Sequence, residues 1–404
     1  MIPHVLIGNP KNRRVLLFQE ALARRRHPAP RVFSHAELIE SPERLLELDD
    51  APYLVRIDST GEDAEVERAL LRSGYEDALA LGVSTVAERE LDSLPLERGL
   101  VVAPTQRHLG MRRYLHALHA VFALRPQLYL LSPVEAIDEL FDKRRASASY
   151  RHAGIPTPRP LLGVETVADL RDAMDEASME RVYVKHAAGS SASCLALFSR
   201  RAGRELLMST LRRRPDGYYN SLRVVRLDDR EAIETTLGFL LREGAQIEES
   251  VPKARLGGAQ MDCRVLLIAG EPSFLVVRQS HHPITNLHLG GHRGSHEELL
   301  RRVPPEVYER AMQSCRQVAA HHRCFQLGID LLFTPRFRDH CIVEANAFGD
   351  LLPGLERDGL SVYEWQIDRA QRWAEQRYSG PKTPPRFEHC TLADAMLIEA
   401  PPSE

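Results

Sequence analysis

A chain of 404 residues, 43% hydrophobic and 27% charged, has material for two or three domains and a sizeable core. A net charge of -3 gives no overall bias toward nucleic acid or an anionic membrane, and no run of about 18 apolar residues reads as a membrane span. Six cysteines without a C-x-x-C pair read as buried thiols of a reduced, cytoplasmic protein, and the Met-Ile-Pro-His start has no secretory-leader pattern.

In chain order, HVLIG reads as a strand, NPKNRR as a loop and the stretch around Val15 to Ala23 as an apolar-periodic helix. RVFS and PYLVRID read as strands, with Ser59 or Thr60 as N-cap of the helix in STGEDAEVERALL. GLVVAPT and LYLLS read as two more strands around a long helix. This alternation predicts a parallel, Rossmann-like sheet up to about residue 138, without a G-x-G-x-x-G turn.

A helix is expected from about Pro133 to His152, after which Gly154, Pro156, Pro158 and Pro160 force extended chain. RVYVKHAAGSSASCLALF reads as strand, small-residue loop and strand, with a helix-rich stretch to follow. AQIEESVP is a strand leading into the Gly257-Gly258 loop. MDCRVLLIAGEPSFLVVRQS is a hairpin turning at Gly270-Glu271-Pro272. A helix from Pro304 to His321 precedes a last hairpin, GIDLLFTPRFRDHCIVEAN, and a proline-rich surface tail.

The last hairpin carries the sharpest chemical signal. If Thr334 to His340 form its turn, Leu332 opposes Ile342 and Asp330 opposes Glu344, with Cβ atoms about 4.5–5.5 Å apart. Asn346 lies about 6.6 Å further along the face of Glu344. Two opposed carboxylates among apolar neighbours repel unless a cation joins them, and three hard oxygen donors suit Mg²⁺. The bland alternative is neutralisation by Arg336 or Arg338. Lys143 follows Asp142 on a helix, and Lys185 ends a strand before a small-residue loop whose N–H groups and serines suit phosphate.

Taken in order, D-K, AGIPTP, strand-Lys with a small-residue loop, an acidic strand, D-x-R, Arg, N-x-x-x-G-G, D and E-x-N resemble the ATP-grasp superfamily over about residues 130 to 355. MDCRVLLIAGE, VVRQS, TNLHLGGHRG, GIDLLF and VEANAFGD look most like its ribosomal-protein glutamate ligase and glutathione synthetase branch. The resemblance implies a mixed α/β and α+β chain. A Rossmann-like pre-ATP-grasp domain (1–138) would precede an N-terminal lobe (139–245), a C-terminal lobe (246–380) and a tail (381–404).

It further implies that Lys143, Lys185, Gly189, Ser190 and Ser191 hold phosphates, and that Gln246 to Val251 form the adenine strand, with Glu248 or Glu249 near purine or ribose. Asp330, Glu344 and Asn346 would hold one or two Mg²⁺ ions, Mn²⁺ being the alternative. Arg264 and Arg278 would stabilise the transferred phosphate, and the loop Asn286 to Gly294, with Gly290 and Gly291, would close over ATP. His186 and the single glycine of AAGSSASC depart from the family pattern, and the length of 200 to 245 points to an insertion.

The implied activity is ATP-dependent ligation of a small-molecule or peptide carboxylate to an amine through an acyl phosphate. No nucleic acid or membrane partner is expected, and a homodimer is the default assembly. The competing readings are a phosphotransferase on the same fold, a silent nucleotide-binding scaffold, and a nucleic-acid binder using the basic helix TQRHLGMRRYLHALH. His281, His282, His288 and His292 are candidate bases for the amine, with backbone hydrogen bonding as their plain reading; Asp350 is a candidate substrate contact. His321, His322 and Cys324 are not read as a zinc site, because adjacent residues on one helix point apart.

Overall fold

The computed structural model describes residues 1–189, 193–349 and 352–378. The tail at 381–404, Ser190, Ser191, Asp350 and Cys390 lie outside them. The first five strands are β1 (His4–Ile7), β2 (Arg31–Phe33), β3 (Tyr53–Ile57), β4 (Leu100–Val101) and β5 (Leu128–Leu130). Four of them form the expected parallel sheet, in the order β2-β1-β3-β5. β1 and β3 are buried at every position, as a parallel sheet covered on both faces requires. Leu6 faces the helices Arg13–Arg24 and Val362–Tyr378, while Val5 and Ile7 face Ala64–Ser73 and Pro104–Leu124.

The last two helices touch almost backbone to backbone. A Cβ built on Gly110 would stand 1.8 Å from the Leu70 carbonyl oxygen, and one on Gly74 1.9 Å from that of Gln106. The basic helix spends its arginines internally: Arg107 on Glu67, Arg112 on Asp138 and Arg113 on Asp77.

Four expectations for these elements fail. The N-cap of Ala64–Ser73 is Asp63, which accepts from the N–H groups of Glu65 and Val66; Ser59 and Thr60 lie in the loop before it. β4 leaves the parallel sheet and pairs antiparallel with a strand of the next one, Leu100 opposite Tyr219. The helix expected from Pro133 to His152 is two, Val134–Leu140 and Lys143–His152. Asp142 breaks it, because its carboxylate accepts from the Arg144 N–H and so caps a new helix at Lys143. The stretch expected to be helix-rich begins with a long hairpin, 204–227, and is helical at Arg230–Arg242; the hairpin's leucines and arginines are good helix formers and hide a two-residue period.

The second sheet holds β6 (Arg181–His186), β7 (Leu195–Arg201), β8 (Arg204–Arg214), β9 (Gly217–Leu227) and β10 (Ala245–Glu249), in the order β10-β6-β7-β8-β9-β4. The helices Val167–Glu176 and Arg230–Arg242 cover it and give this lobe a core of its own, from Leu161 to Ile247. The third sheet holds β11 (Arg255–Leu256), β12 (Ala259–Ile268), β13 (Glu271–Ser280), β14 (His292–Arg293), β15 (Gln326–Phe333) and β16 (His340–Asn346). The β12–β13 turn sits at Ala269-Gly270, both with positive φ, one residue earlier than expected.

The helix Pro305–His322 packs on the third sheet, whose core is continuous with that of the parallel sheet, running from Val5 to Phe348. Buried Arg56 of β3 reinforces that junction: its Nη1 donates to Gln326 Oε1 (2.9 Å) and Gln366 Oε1 (2.7 Å). The separately cored lobe therefore faces a larger body across a seam.

Candidate active site

The seam carries the residues singled out in sequence. Asp330 does oppose Glu344, and Gly328 opposes Asn346. Beyond that point the expected register fails: Leu332 opposes Cys341, not Ile342, because Val343 is an extra residue in β16. Such a bulge twists the strand and re-aims the side chains beside it, here the acidic pair.

The D-x-R of β12 puts Asp262 and Arg264 on one face. Across β13, Asp262 meets Arg278, whose Nε donates to its Oδ1 at 2.7 Å. Across β15, Arg264 meets Asp330, Nε to Oδ1 at 2.7 Å, while Arg278 Nη2 reaches the same oxygen at 3.1 Å. Asp330 is thus countered by Arg264 and Arg278; Arg336 and Arg338, the neutralising partners considered from sequence, are exposed elsewhere. Burial opposes the charge of Arg278, but Asp262 and Asp330 outweigh it and push its pKa up. Asp262 also receives Lys253 Nζ at 3.2 Å and the Thr285 hydroxyl. Burial works against its charge, yet Arg278 and Lys253 hold its pKa below the usual range.

Lys143 begins its helix at the seam. Its Nζ donates to the Gly189 carbonyl and lies 3.6 Å from Glu344 Oε1. The Asn346 amide sits 3.1 Å from that oxygen and 3.2 Å from Arg264 Nη1, so nitrogen toward the carboxylate and oxygen toward the guanidinium satisfies both. Lys185, at the end of β6, donates to Glu248 Oε1 on neighbouring β10. Glu248 is 1% exposed, its Oε2 has no hydrogen-bond partner among the described residues, and burial raises its pKa. Glu249 turns to Arg159 at 2.7 Å, so of the two acids Glu248 is the one held by Lys185. The strand here ends at Glu249, short of Val251.

Two adjoining cavities use this wall. The smaller, about 130 Å³, adds Pro158, Tyr183, Leu195, Ile284 and Leu332 to the charged groups. The larger, about 440 Å³, reaches the parallel-sheet domain at Arg14, Ser59, Thr60, Arg107 and His108. Lys143, Gly189, Arg264, Arg278, Asn286, Glu344 and Asn346 line both. Lys185, Glu248, Glu249 and Asp330 line the smaller one.

Gly290 and Gly291 line neither; Gly291 closes the loop by donating its N–H to the Asn286 carbonyl, where a Cβ would stand 2.6 Å from that oxygen. His281, His282 and His292 are exposed and line neither cavity, and the side chain of His288 is outside the described residues. Two other histidines face the larger cavity: burial lowers His108 to about 4 and His186 to about 3, so both are neutral near pH 7.

Sequence reasoning gave no role to Lys253, Asp262, Thr285, Arg14, Arg107 or His108. Asp262 had a usable signal, because a charged residue two positions from Arg264 on a strand must share its face. Arg14 and Arg107 reach the seam only through long-range packing and carry no local motif.

The residues present fit a nucleotide and a hard divalent cation. Five basic groups (Lys143, Lys185, Lys253, Arg264, Arg278) and five acidic ones (Glu248, Glu249, Asp262, Asp330, Glu344) line the smaller cavity, Glu249 being turned to Arg159, so phosphates would find cationic donors and a metal would find carboxylates. The donors of Asp330, Glu344 and Asn346 are all oxygen, as Mg²⁺ prefers. The unpartnered Glu248 oxygen in the smaller cavity suits a hydroxyl or amino donor.

No protein-family model and no curated protein matches the sequence. Solved structures do match. The ATP-grasp ligase PsnB complexed with minimal precursor has a TM-score of 0.52 at 14% identity, over 92% of this chain and 99% of that one. PsnB with a phosphomimetic variant of minimal precursor, Mg and ADP gives 0.50 at 16% identity, over 92% and 99%. The macrocyclase MdnC bound with precursor peptide MdnA from Microcystis aeruginosa MRC gives 0.50 at 11% identity, over 91% and 99%. Identities this low speak for the fold, and with the mixed sheets and seam just described they establish that this chain has the ATP-grasp fold.

Proposed function

We propose that the protein is an ATP-dependent ligase that joins a carboxylate to an amine, with ADP and phosphate as the other products. The observation that carries this reading is the shared wall: one set of side chains serves an apolar-walled cavity and a larger polar one.

The smaller cavity would take the nucleotide, with its base among Tyr183, Leu195, Ile284 and Leu332 and a donor on Glu248. Lys143 and Lys185 would meet phosphate oxygens, helped by Gly189 and, outside the described residues, Ser190 and Ser191. Asp330, Glu344 and Asn346 would hold Mg²⁺, which supplies charge neutralisation at the phosphates. Arg264 and Arg278, oriented by Asp262 and Asp330, would face the transferred phosphoryl group and the acid it activates. The acid and then the amine would enter the larger cavity, which Arg14 and the Arg107–Glu67 pair line on the side away from the phosphates. The Asn286 to Gly291 loop would limit water access to the activated acid. MdnC is described as bound with a precursor peptide and PsnB as complexed with a minimal precursor, which supports a peptide as one substrate class.

The deciding test measures ADP and free phosphate from Mg-ATP, with pools of amino acids and short peptides, for wild type and Glu344→Gln/Asn346→Ala. Both products from wild type, and neither from the variant, would support ligation. ADP without free phosphate would mark a phosphotransferase instead. Silence of wild type together with no nucleotide binding would refute the reading.

A further inference from the structure

A second cluster, independent of the ligase reading, lies where the helix Val134–Leu140 meets the end of Pro305–His322. Glu139, His321 and His322 each place one ligand atom within 4.8 Å of the others. His321 Nε2 is 3.5 Å from Glu139 Oε1, and His322 Nδ1 is 3.5 Å from Glu139 Oε2. None of the three lines either cavity of the seam.

We propose that Glu139, His321 and His322 form a binding site for a zinc-type divalent ion that ties these two helices together. Tetrahedral zinc with ligands at 2.0–2.1 Å separates them by roughly 3.3–3.5 Å; each histidine stands 3.5 Å from a different oxygen of Glu139, and a small turn of the carboxylate would let the three ligand atoms, already within 4.8 Å, close on one ion. Adjacent histidines can converge because the helix ends there, with Arg323 at φ +56, and because they present different nitrogens. Their rings stand edge to face, 4.9 Å apart at 86°.

Three further features point to a cation. His322 Nδ1 is buried and faces the Glu139 carboxylate at 3.5 Å, and among the described residues no other group meets it within hydrogen-bond geometry. Its other nitrogen is 2.7 Å from the buried Tyr150 hydroxyl, the kind of outer partner that fixes the tautomer of a liganding histidine. The C-terminal end of an 18-residue helix adds the negative end of its dipole. His321 is exposed, which leaves a coordination position open to water.

This set differs from the His321, His322 and Cys324 group rejected on sequence: Glu139, 182 residues away from His321, supplies the ligand that Cys324 does not. Glu139 lies on the helix just before Lys143, so an ion here would brace the segment that aims that lysine.

The test is zinc titration of the metal-stripped full chain against a chromophoric chelator, with thermal unfolding followed in parallel. The expected result is one zinc per chain that raises the unfolding midpoint. Glu139→Gln and His321→Ala, both at accessible positions, should each weaken binding at least tenfold and abolish the midpoint shift. Tyr150→Phe should weaken it about tenfold. Glu344→Gln should leave it unchanged, which separates this site from the seam. No zinc binding by wild type, or equal binding by wild type, Glu139→Gln and His321→Ala, would overturn the proposal.

Discussion

Asp330 and Glu344 face each other across β15 and β16, and each is countered from a different element: Asp330 by Arg264 and Arg278, Glu344 by Lys143. Two arginines pair with Asp330 at 2.7 and 3.1 Å, whereas Glu344 faces one cation at 3.6 Å and the Asn346 amide at 3.1 Å. Glu344→Gln should therefore leave the fold intact and lower Mg-ATP turnover by about 10²-fold or more, the scale of losing one charge-stabilising group. Turnover within threefold of wild type at saturating Mg²⁺ would count against the metal role.

Lys185 and Glu248 are both buried, so removing one partner strands the other. Lys185→Met should cost about 3–5 kcal/mol in chemical denaturation. Lys185→Met/Glu248→Gln should recover most of that loss while staying inactive. A strictly additive double-mutant cycle would show that the two are not coupled.

Asp142 caps the helix that begins with Lys143. Burial opposes its charge, but Arg144 outweighs this and holds its pKa well below the usual carboxylate value. A depressed carboxylate stabilises the fold above its unfolded pKa, about 3.9, and loses that contribution as pH falls toward the folded value. Denaturation midpoints should accordingly drop below about pH 4, and Asp142→Asn should flatten that acid limb by removing one titrating group. An unchanged acid limb would exclude Asp142 as a cause.

Gly110→Ala would push a methyl group into the Leu70 carbonyl. The helices must then separate, and the expected loss is about 1–3 kcal/mol. Wild-type stability of this variant would mean that the helices can slide apart freely.

Local patterning made much of this molecule legible. The parallel strands, the last hairpin and the Asp330–Glu344 pairing follow from runs and spacings of a few residues. The Val343 bulge does not, since an extra residue leaves no mark in an apolar run. Nor does the departure of β4, because two half-buried residues join whichever strand edge tertiary packing brings near. The break at Asp142 was visible in principle: an aspartate directly before Lys143 is a cap signal inside an otherwise helical pattern. The site shows the same division. Its strand-borne residues are spaced by two, whereas Arg14, Arg107 and Glu139 come into place only when distant segments dock.

Lys143, Arg264, Arg278 and Glu344 belong to the rims of both cavities, so the two spaces are not independent tenancies. An anion settling in one withdraws some of the positive potential on which an anion in the other relies; a cation beside Glu344 gives it back. By thermodynamic reciprocity, whatever factor the first occupant imposes on the affinity of the second is imposed in return. Which arrives first is then a matter of rates alone, and the doubly filled state has the same free energy by either route.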